Sequence, residues 1–225
     1  MDSPARRHFQ RVSAANRQAA ETPATRSDAT AYELMLLKLA EDKRRLSDIQ
    51  SLERRAEIKR ELLPEYAPWV QGALEGGHGV QDDVLMTVMV WSIDTGDLEQ
   101  ALRIGAYALA HQLAMPDQYK RGTACLIAEE LADHALRLKD GIDEATTASL
   151  IAADGITAGQ DMPDEVRAKL LKAIGLGLDL RGDKPAALDH LKRALALHDK
   201  VGVKKDIERL EREIKNLAGS PTGNG

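Results

Sequence analysis

The chain has 225 residues, 43% of them hydrophobic but only 3% aromatic, so alanine and leucine fill most of its core. That composition favours helix packed on helix, since the β-branched runs between turn signals that mark strands are almost missing. A single cysteine, Cys125, excludes an intramolecular disulfide and a zinc site built on cysteine pairs. Residues 1–60 carry 13 basic and 9 acidic side chains, whereas residues 61–225 carry 18 and 27, so a basic front precedes an acidic body.

The start of the chain predicts a flexible basic arm over residues 1–27. These residues are polar, alanine-rich and basic, and within them 6–20 could form a short helix. The start also lacks the apolar stretch of a signal peptide, and the longest apolar run, near 84–91, is far too short to cross a bilayer. We therefore expect a protein that has no membrane segment and stays in the cytoplasm.

A helical region is predicted over 28–63. Thr30 and Glu33 form a capping box at its start, and apolar residues then recur at helical spacing. A second capping pattern over 47–50 leaves two alternatives, one long helix or a helical hairpin. Pro64 and Pro68 are expected to end the region, because a proline removes a backbone hydrogen bond inside a helix.

Residues 64–218 are predicted to form a tetratricopeptide-like helical array, which makes the fold class all-α. The pairs Gly96-Asp97 and Gly182-Asp183 are each followed by alanine-leucine pairs at identical spacings, which is typical of helical hairpins with small residues at a close contact. The last helix carries a short heptad seam and must dock on its own domain or on a partner. The tail over 219–225 is expected to be disordered. Other helices are predicted at about 80–93, 98–114, 119–139, 143–153, 164–180 and 203–217.

A set of arginine and lysine residues is the candidate for a DNA-binding surface. They lie on the arm and on one face of the 28–63 region, where they could neutralise backbone phosphates with an affinity that falls steeply with salt. A solvated charged face is the alternative, since no zinc finger, RNP motif or convincing helix-turn-helix sequence is present. The candidates are Arg6, Arg7, Arg11, Lys43, Arg44, Arg45, Arg54, Arg55, Lys59 and Arg60.

Residues for catalysis are sparse. No Walker-type phosphate loop is present, and no histidine accompanies a serine or cysteine in a recognisable nucleophile motif, which argues against an ATPase and a hydrolase. A Mg²⁺-dependent endonuclease is the alternative, with Glu129 and Asp133 on one helix face or the adjacent Asp82 and Asp83 as its carboxylates. A solvated acidic helix face has the same sequence pattern as these carboxylates. We therefore expect no catalytic residue, no bound metal and no cofactor. Mg²⁺ would be required only if the chain were the endonuclease.

Several long motifs resemble the small terminase subunits of peduovirus-type tailed phages. The resemblance covers nearly the whole chain and is weakest over 117–160. The motifs that carry it are SPARRH at 3–8, RVSAA at 11–15, YELMLLKLA at 32–40, ELLP at 61–64, PWV at 68–70, QDD at 81–83, LMTVM at 85–89, DTGD at 94–97, DMPDEVRAKL at 161–170, GVKK at 202–205 and IERLERE at 207–213.

The resemblance implies a role in genome packaging in the cytoplasm of the bacterial host. Small terminases recognise the packaging (cohesive-end) site on double-stranded phage DNA, typically form ring-shaped homo-oligomers, and recruit the large subunit, which is the ATPase motor. Our leading hypothesis therefore places DNA binding and self-association in 28–63 and docking of the large subunit in 64–218. Members of this family are often named the endonuclease subunit, which keeps the nuclease as an alternative. A prophage-borne or satellite adaptor that redirects packaging is a third hypothesis.

Overall fold

The computed structural model describes residues 3–19, 26–117, 119–138 and 141–219, and this part of the chain is helical without a β-strand. The all-α prediction is therefore confirmed. None of the helices described is long and apolar enough to cross a bilayer. The helices are α1 (Pro4–Ala19), α2 (Arg26–Ser47), α3 (Leu52–Gly76), α4 (Asp83–Thr95), α5 (Leu98–Ala110), α6 (Thr123–Leu136), α7 (Glu144–Ile156), α8 (Asp164–Leu180), α9 (Lys184–Leu197) and α10 (Lys204–Gly219).

The chain divides into two compact units, Met1–Thr123 (unit 1) and Ala124–Gly225 (unit 2). The division predicted from the sequence, with boundaries after residues 27 and 63, differs from this one. The second of those boundaries falls inside α3. Proline positions set the predicted boundary, whereas the contacts between helices set the observed one.

Helix α3 runs through both prolines that were expected to end it, so that expectation is wrong. Pro64 and Pro68 lack the N–H groups that would bond to the carbonyls of Arg60 and Pro64, which costs about 3 kcal/mol for each proline inside a helix. Pro64 is exposed and Pro68 half-buried, whereas Tyr66 and Trp69 on the other face are fully buried. Each large apolar side chain buried contributes about 1.5–3 kcal/mol, so packing of the inner face offsets the cost of the prolines.

Helix α1 occupies most of the stretch that the sequence predicts to be a flexible arm. It packs against α3, and its Ala14 and Gln18 side chains are buried. The two backbones lie so close that a Cβ added to Gly72 would be 2.0 Å from the carbonyl oxygen of Arg11. Only a glycine allows this approach. The arm is thus a packed helix over its described part, and residues 20–25 lie outside the described residues.

Helix α4 forms the buried centre of unit 1 and packs against both α3 and α5. The side chains of α4 are buried from Val84 to Ile93. Asp82 caps this helix by accepting from Leu85 N at 3.0 Å, and it also accepts from Trp69 Nε1 at 2.9 Å. The cap residue therefore joins α4 to α3.

The two hairpins predicted from the glycine-aspartate pairs are present, one in each unit, with the same turn geometry. Gly96 and Gly182 adopt the left-handed conformation with φ of 85° and 83°. Asp97 and Asp183, both at φ −80° and ψ 69°, then cap α5 and α9. The alanines that follow at 101, 108, 187 and 194 are buried in the hairpin contacts. The assembly of all helices into a tetratricopeptide-like array stays a prediction.

Unit 2 is built on α8, which packs against both α7 and α9. The bounds of α8 coincide with those predicted for the helix over 164–180. Helix α10 docks on α9, and Val203, Ile207 and Leu210 of its heptad seam are buried. The seam is therefore used within its own unit, although Leu217 at its far end is 68% exposed. The predicted tail beyond residue 219 lies outside the described residues.

Candidate nucleic-acid interface

The basic residues of 43–60 lie on the two helix ends that meet at the α2–α3 turn. Helix α2 ends at Ser47, and α3 begins after Ser51, whose side chain accepts from Arg54 N at 3.2 Å. The hairpin alternative is thus observed, with α2 starting at Arg26, ahead of the predicted cap Thr30. Basic side chains in the last turn of α2 face the negative end of its dipole, which favours them there.

A buried carboxylate holds the two helices of this hairpin together. Asp42 of α2 is only 4% exposed and accepts from the Tyr66 hydroxyl of α3 at 2.6 Å. It also accepts from Lys38 Nζ at 2.6 Å and lies 3.7 Å from Arg45 Nη1. Because a buried carboxylate is costly unless it is satisfied, this network fixes α2 against α3. The basic hairpin is therefore an anchored surface.

Three of the candidate cations line one cavity of about 340 Å³. The Nε of Arg55 donates to the Ile49 carbonyl at 2.5 Å, and Lys59 Nζ pairs with Asp94 Oδ2 at 2.5 Å. Burial lowers the pKa of Lys43, and the nearby Asp83 carboxylate opposes that shift. We call this space the α2–α3 cavity; its lining is Lys43, Leu46, Ser47, Arg55, Lys59 and Trp91.

Four further candidates lie on the exposed surface of the hairpin, namely Arg44, Arg45, Arg54 and Arg60. Arg54 pairs with Glu57 at 2.6 Å, which raises the pKa of its guanidinium, and Arg60 Nε donates to the Thr95 carbonyl at 3.4 Å. Such exposed pairs contribute little to stability. Arg54 can therefore exchange the Glu57 carboxylate for a phosphate at small cost.

The three candidates on α1 lie elsewhere in unit 1. Arg6 and Arg7 are exposed, and Arg11 is half-buried with its Nε 3.9 Å from Glu75. Arg7 and Arg11 line a second cavity of about 380 Å³ beside the proline-bearing face of α3. The structure therefore divides the candidates between two places, the α2–α3 turn and the groove between α1 and α3.

Sequence reasoning missed three contributors to the α2–α3 cavity. Ser47 follows Lys43 at the i,i+4 spacing of one helix face, so spacing could have found it. Asp94 and Trp91 come from α4, and Asp94 is 35 residues from the lysine it pairs with. No local signal connects residues so far apart in the chain.

The carboxylates considered for an endonuclease have partners within the protein. Asp82 is the buried cap of α4, and burial raises its pKa, whereas the Asp83 carboxylate accepts from Gln81 at 3.1 Å. The other two carboxylates, on α6, are approached by Lys169 of α8, whose Nζ lies 2.9 Å from Asp133 Oδ1 and 4.0 Å from Glu129 Oε1. No group of three or more metal-ligating side chains occurs in the described ranges. The ammonium group of Lys169 thus occupies the position that a cation bound between Glu129 and Asp133 would take.

Comparison with known proteins gives one family and two relatives. The family model for the phage small terminase subunit matches residues 36–165. The terminase, endonuclease subunit of Escherichia phage P2 is 51% identical over 215 residues, which cover 96% of this chain and 87% of the phage P2 protein. The probable terminase, endonuclease subunit of Haemophilus phage HP1 (strain HP1c1) is 22% identical over 203 residues, covering 84% and 72%. No solved structure gives a significant match.

Proposed function

Since the chain belongs to the family of phage small terminase subunits, we propose that it recognises the packaging site of phage DNA without cutting it. The resemblance inferred from its motifs is confirmed, and the chain is a subunit of a phage packaging terminase. Its proposed partners are double-stranded phage DNA and the large terminase subunit. We place its action in the cytoplasm of the bacterial host, where phage DNA is available.

The observation that carries this proposal is the anchored basic hairpin of α2 and α3. Its exposed arginines and the cations of the α2–α3 cavity surround one turn, which gives a compact positive surface on an otherwise acidic protein. Lysine and arginine side chains on such a surface displace counterions from DNA, and this release supplies most of the affinity for the backbone. Base-specific contacts would add to this surface, and we assign no residue to them.

The test replaces Arg44, Arg45, Arg54 and Arg55 by alanine and follows retention of duplex DNA across a salt titration. We expect weaker retention and a slope of log affinity against log salt that is shallower by about 0.9 for each phosphate that is no longer neutralised. The matched control removes four exposed cations of unit 2 with the same change in charge. It carries alanine at Lys200, Lys204, Lys205 and Arg212. Equal losses in both variants would refute the assignment of DNA binding to the hairpin.

Self-association and docking of the large subunit are the other parts of the proposal. Leu34 and Leu37 on α2 are 58% and 67% exposed, which supports α2 as the helix through which copies of the chain associate, in a ring or a smaller oligomer. Unit 2 is proposed to bind the large subunit. Measuring the mass of the native assembly for the wild type and for a variant with L34Q and L37Q tests the first part. A variant with unchanged mass would exclude this α2 face.

The endonuclease is the second candidate function, because the printed names of both relatives contain that activity. Its carboxylates would be Glu129 and Asp133, or Asp82 and Asp83, acting with Mg²⁺. The discriminating assay incubates the purified chain with Mg²⁺ and DNA that contains the packaging site. Cleavage that Glu129→Ala abolishes would establish the endonuclease, whereas intact DNA supports the recognition subunit.

A further inference from the structure

We propose that the α2–α3 cavity is a phosphate-binding pocket that holds one phosphodiester group of the DNA backbone. The pocket rests on the geometry of the cavity itself, and the DNA as source of the phosphate rests on the proposed function. Three helices build it: α2 supplies Lys43, α3 supplies Arg55 and Lys59, and α4 supplies Trp91. The second cavity, beside α1, has two of the candidate cations in its lining, Arg7 and Arg11.

The charge of the cavity selects an anion. Two lysines and one arginine line it, no carboxylate is part of the lining, and Asp94 pairs with one of the three cations. Like charges gathered in a partly buried site repel each other more strongly than they do in bulk water. An oxyanion placed between them removes that repulsion. Burial lowers the pKa of Lys43 although the Asp83 carboxylate opposes that shift, so an oxyanion in the cavity would add to an attraction that is already present.

The donors are held in place before any ligand arrives. The bond from Arg55 Nε to the Ile49 carbonyl fixes the guanidinium plane, and this bond uses one of the five N–H donors of an arginine. The pair with Asp94 fixes the end of Lys59 in the same way. Preorganised donors lose little conformational entropy on binding, which is the condition for recognising a group as small as a phosphate.

The size and the polarity of the α2–α3 cavity suit a ligand larger than an inorganic ion. The cavity of about 340 Å³ is largely open to solvent, so a phosphate that stays attached to a DNA chain can enter it, and its lining combines apolar side chains with a few polar groups. The apolar part here is formed by Leu46 and Trp91, which are 6% and 4% exposed. The Trp91 ring meets Tyr66 edge-on with centroids 5.8 Å apart, so it is a buried floor and not an exposed platform for a base. A phosphate with its attached deoxyribose fits this combination.

The experiment compares two double variants of the full chain that lose the same charge. K43M/R55M removes two cations from the lining, whereas R44M/R54M removes their exposed neighbours in sequence, which lie outside the lining. The first probe is inorganic phosphate, followed by phosphorus NMR line broadening. The second probe is fluorescent duplex DNA, with anisotropy measured at constant ionic strength in chloride or in phosphate.

We expect K43M/R55M to bind phosphate about ten-fold more weakly or worse, because removing a single charged hydrogen bond accounts for about that factor. R44M/R54M should retain phosphate binding, although its affinity for DNA falls through the general decrease in positive charge. The variant K43R, which keeps the charge at 43 and leaves Arg55 in place, should retain binding of phosphate. In the wild type, phosphate should shift the NMR signals of Arg55 Nε–H and the Ser47 amide, a readout that does not depend on any variant folding.

Equal phosphate affinity in the two methionine variants, or shifts spread over all exposed arginines, would overturn the pocket. DNA binding that both variants weaken equally, with no competition from phosphate, would leave the proposed function standing and refute the pocket. Phosphate binding in the pocket without any DNA binding by the wild type would refute the proposed function and DNA as the source of the phosphate.

Discussion

Replacing Gly72 by alanine tests whether the N-terminal residues are a packed helix or a mobile arm. The added Cβ would lie 2.0 Å from the Arg11 carbonyl oxygen and 2.8 Å from its carbonyl carbon. Both are backbone atoms, so no change of rotamer relieves the clash and α1 must move away from α3. Overpacking typically costs 1–3 kcal/mol, and we expect about 3 kcal/mol here because backbone must shift.

Movement of α1 also breaks its links to the loop before α4. Gln18 Nε2 donates to the Val80 carbonyl at 3.0 Å and its Oε1 accepts from Val80 N at 2.6 Å, while Arg17 Nη1 donates to the Gln81 carbonyl at 2.9 Å. A destabilisation of about 3 kcal/mol lowers the melting temperature of unit 1 by roughly 10 °C. Exchange of the α1 amides, measured by mass spectrometry, should accelerate at the same time.

The matched control is Gly155→Ala in α7, where an added Cβ meets nothing within 4 Å. It should leave stability unchanged or raise it by about 0.4–1 kcal/mol, because alanine restricts the unfolded chain. If Gly72→Ala melts like the wild type and its α1 amides exchange as before, α1 does not pack on α3. The flexible arm inferred from composition would then be the better description of residues 4–19.

Four other substitutions have defined outcomes. Burial raises the pKa of Asp82, so its contribution to the unfolding free energy is present at low pH and is lost as the pH rises from about 3.9 through the raised value. Urea unfolding measured against pH should show this loss of stability. Asp82→Asn should abolish this pH dependence. Asp97→Ala and Asp183→Ala should each cost about 1 kcal/mol in thermal unfolding, because the two caps share one geometry, and very unequal costs would contradict that equivalence. Lys169→Met should cost only about 0.5 kcal/mol, since its pairs are partly exposed, and a much larger destabilisation would refute this discounting.

Local patterns in the sequence predicted the helices best where a helix end has its own chemical signal. Asp97 and Asp183 follow left-handed glycines and cap the next helix, and both signals can be read from a few adjacent residues. The proline before the acidic start of α8 is a signal of the same kind. These elements could be predicted because the energy that determines them is local.

The packing of α1 and α3 could not be predicted in this way. Pro64 and Pro68 carry a strong local signal for a helix end, which burial of Tyr66 and Trp69 on the other face of α3 outweighs. The polar, alanine-rich composition of α1 indicates an arm, and only the close approach at Gly72 shows why small residues are placed there. Both outcomes depend on contacts between segments far apart in sequence.

The candidate surface was predictable as a set of charges but not as a site. The spacing of Arg54, Arg55 and Lys59 indicates a basic face, and nothing in it distinguishes the cations that line a cavity from those in solvent. That distinction depends on Asp94 and Trp91, which α4 brings to the hairpin. A charge pattern predicts general affinity for a polyanion, whereas the pocket needs the fold.

A hydrogen-exchange footprint of the wild-type chain, with and without duplex DNA containing the packaging site, shows which segment holds the DNA. We expect slower exchange over 43–60, the region of the α2–α3 hairpin, and unchanged exchange in the exposed basic segment of unit 2 at 200–205. Protection confined to unit 2, or no protection at all at DNA concentrations that saturate binding, would contradict the claim that this hairpin holds the DNA.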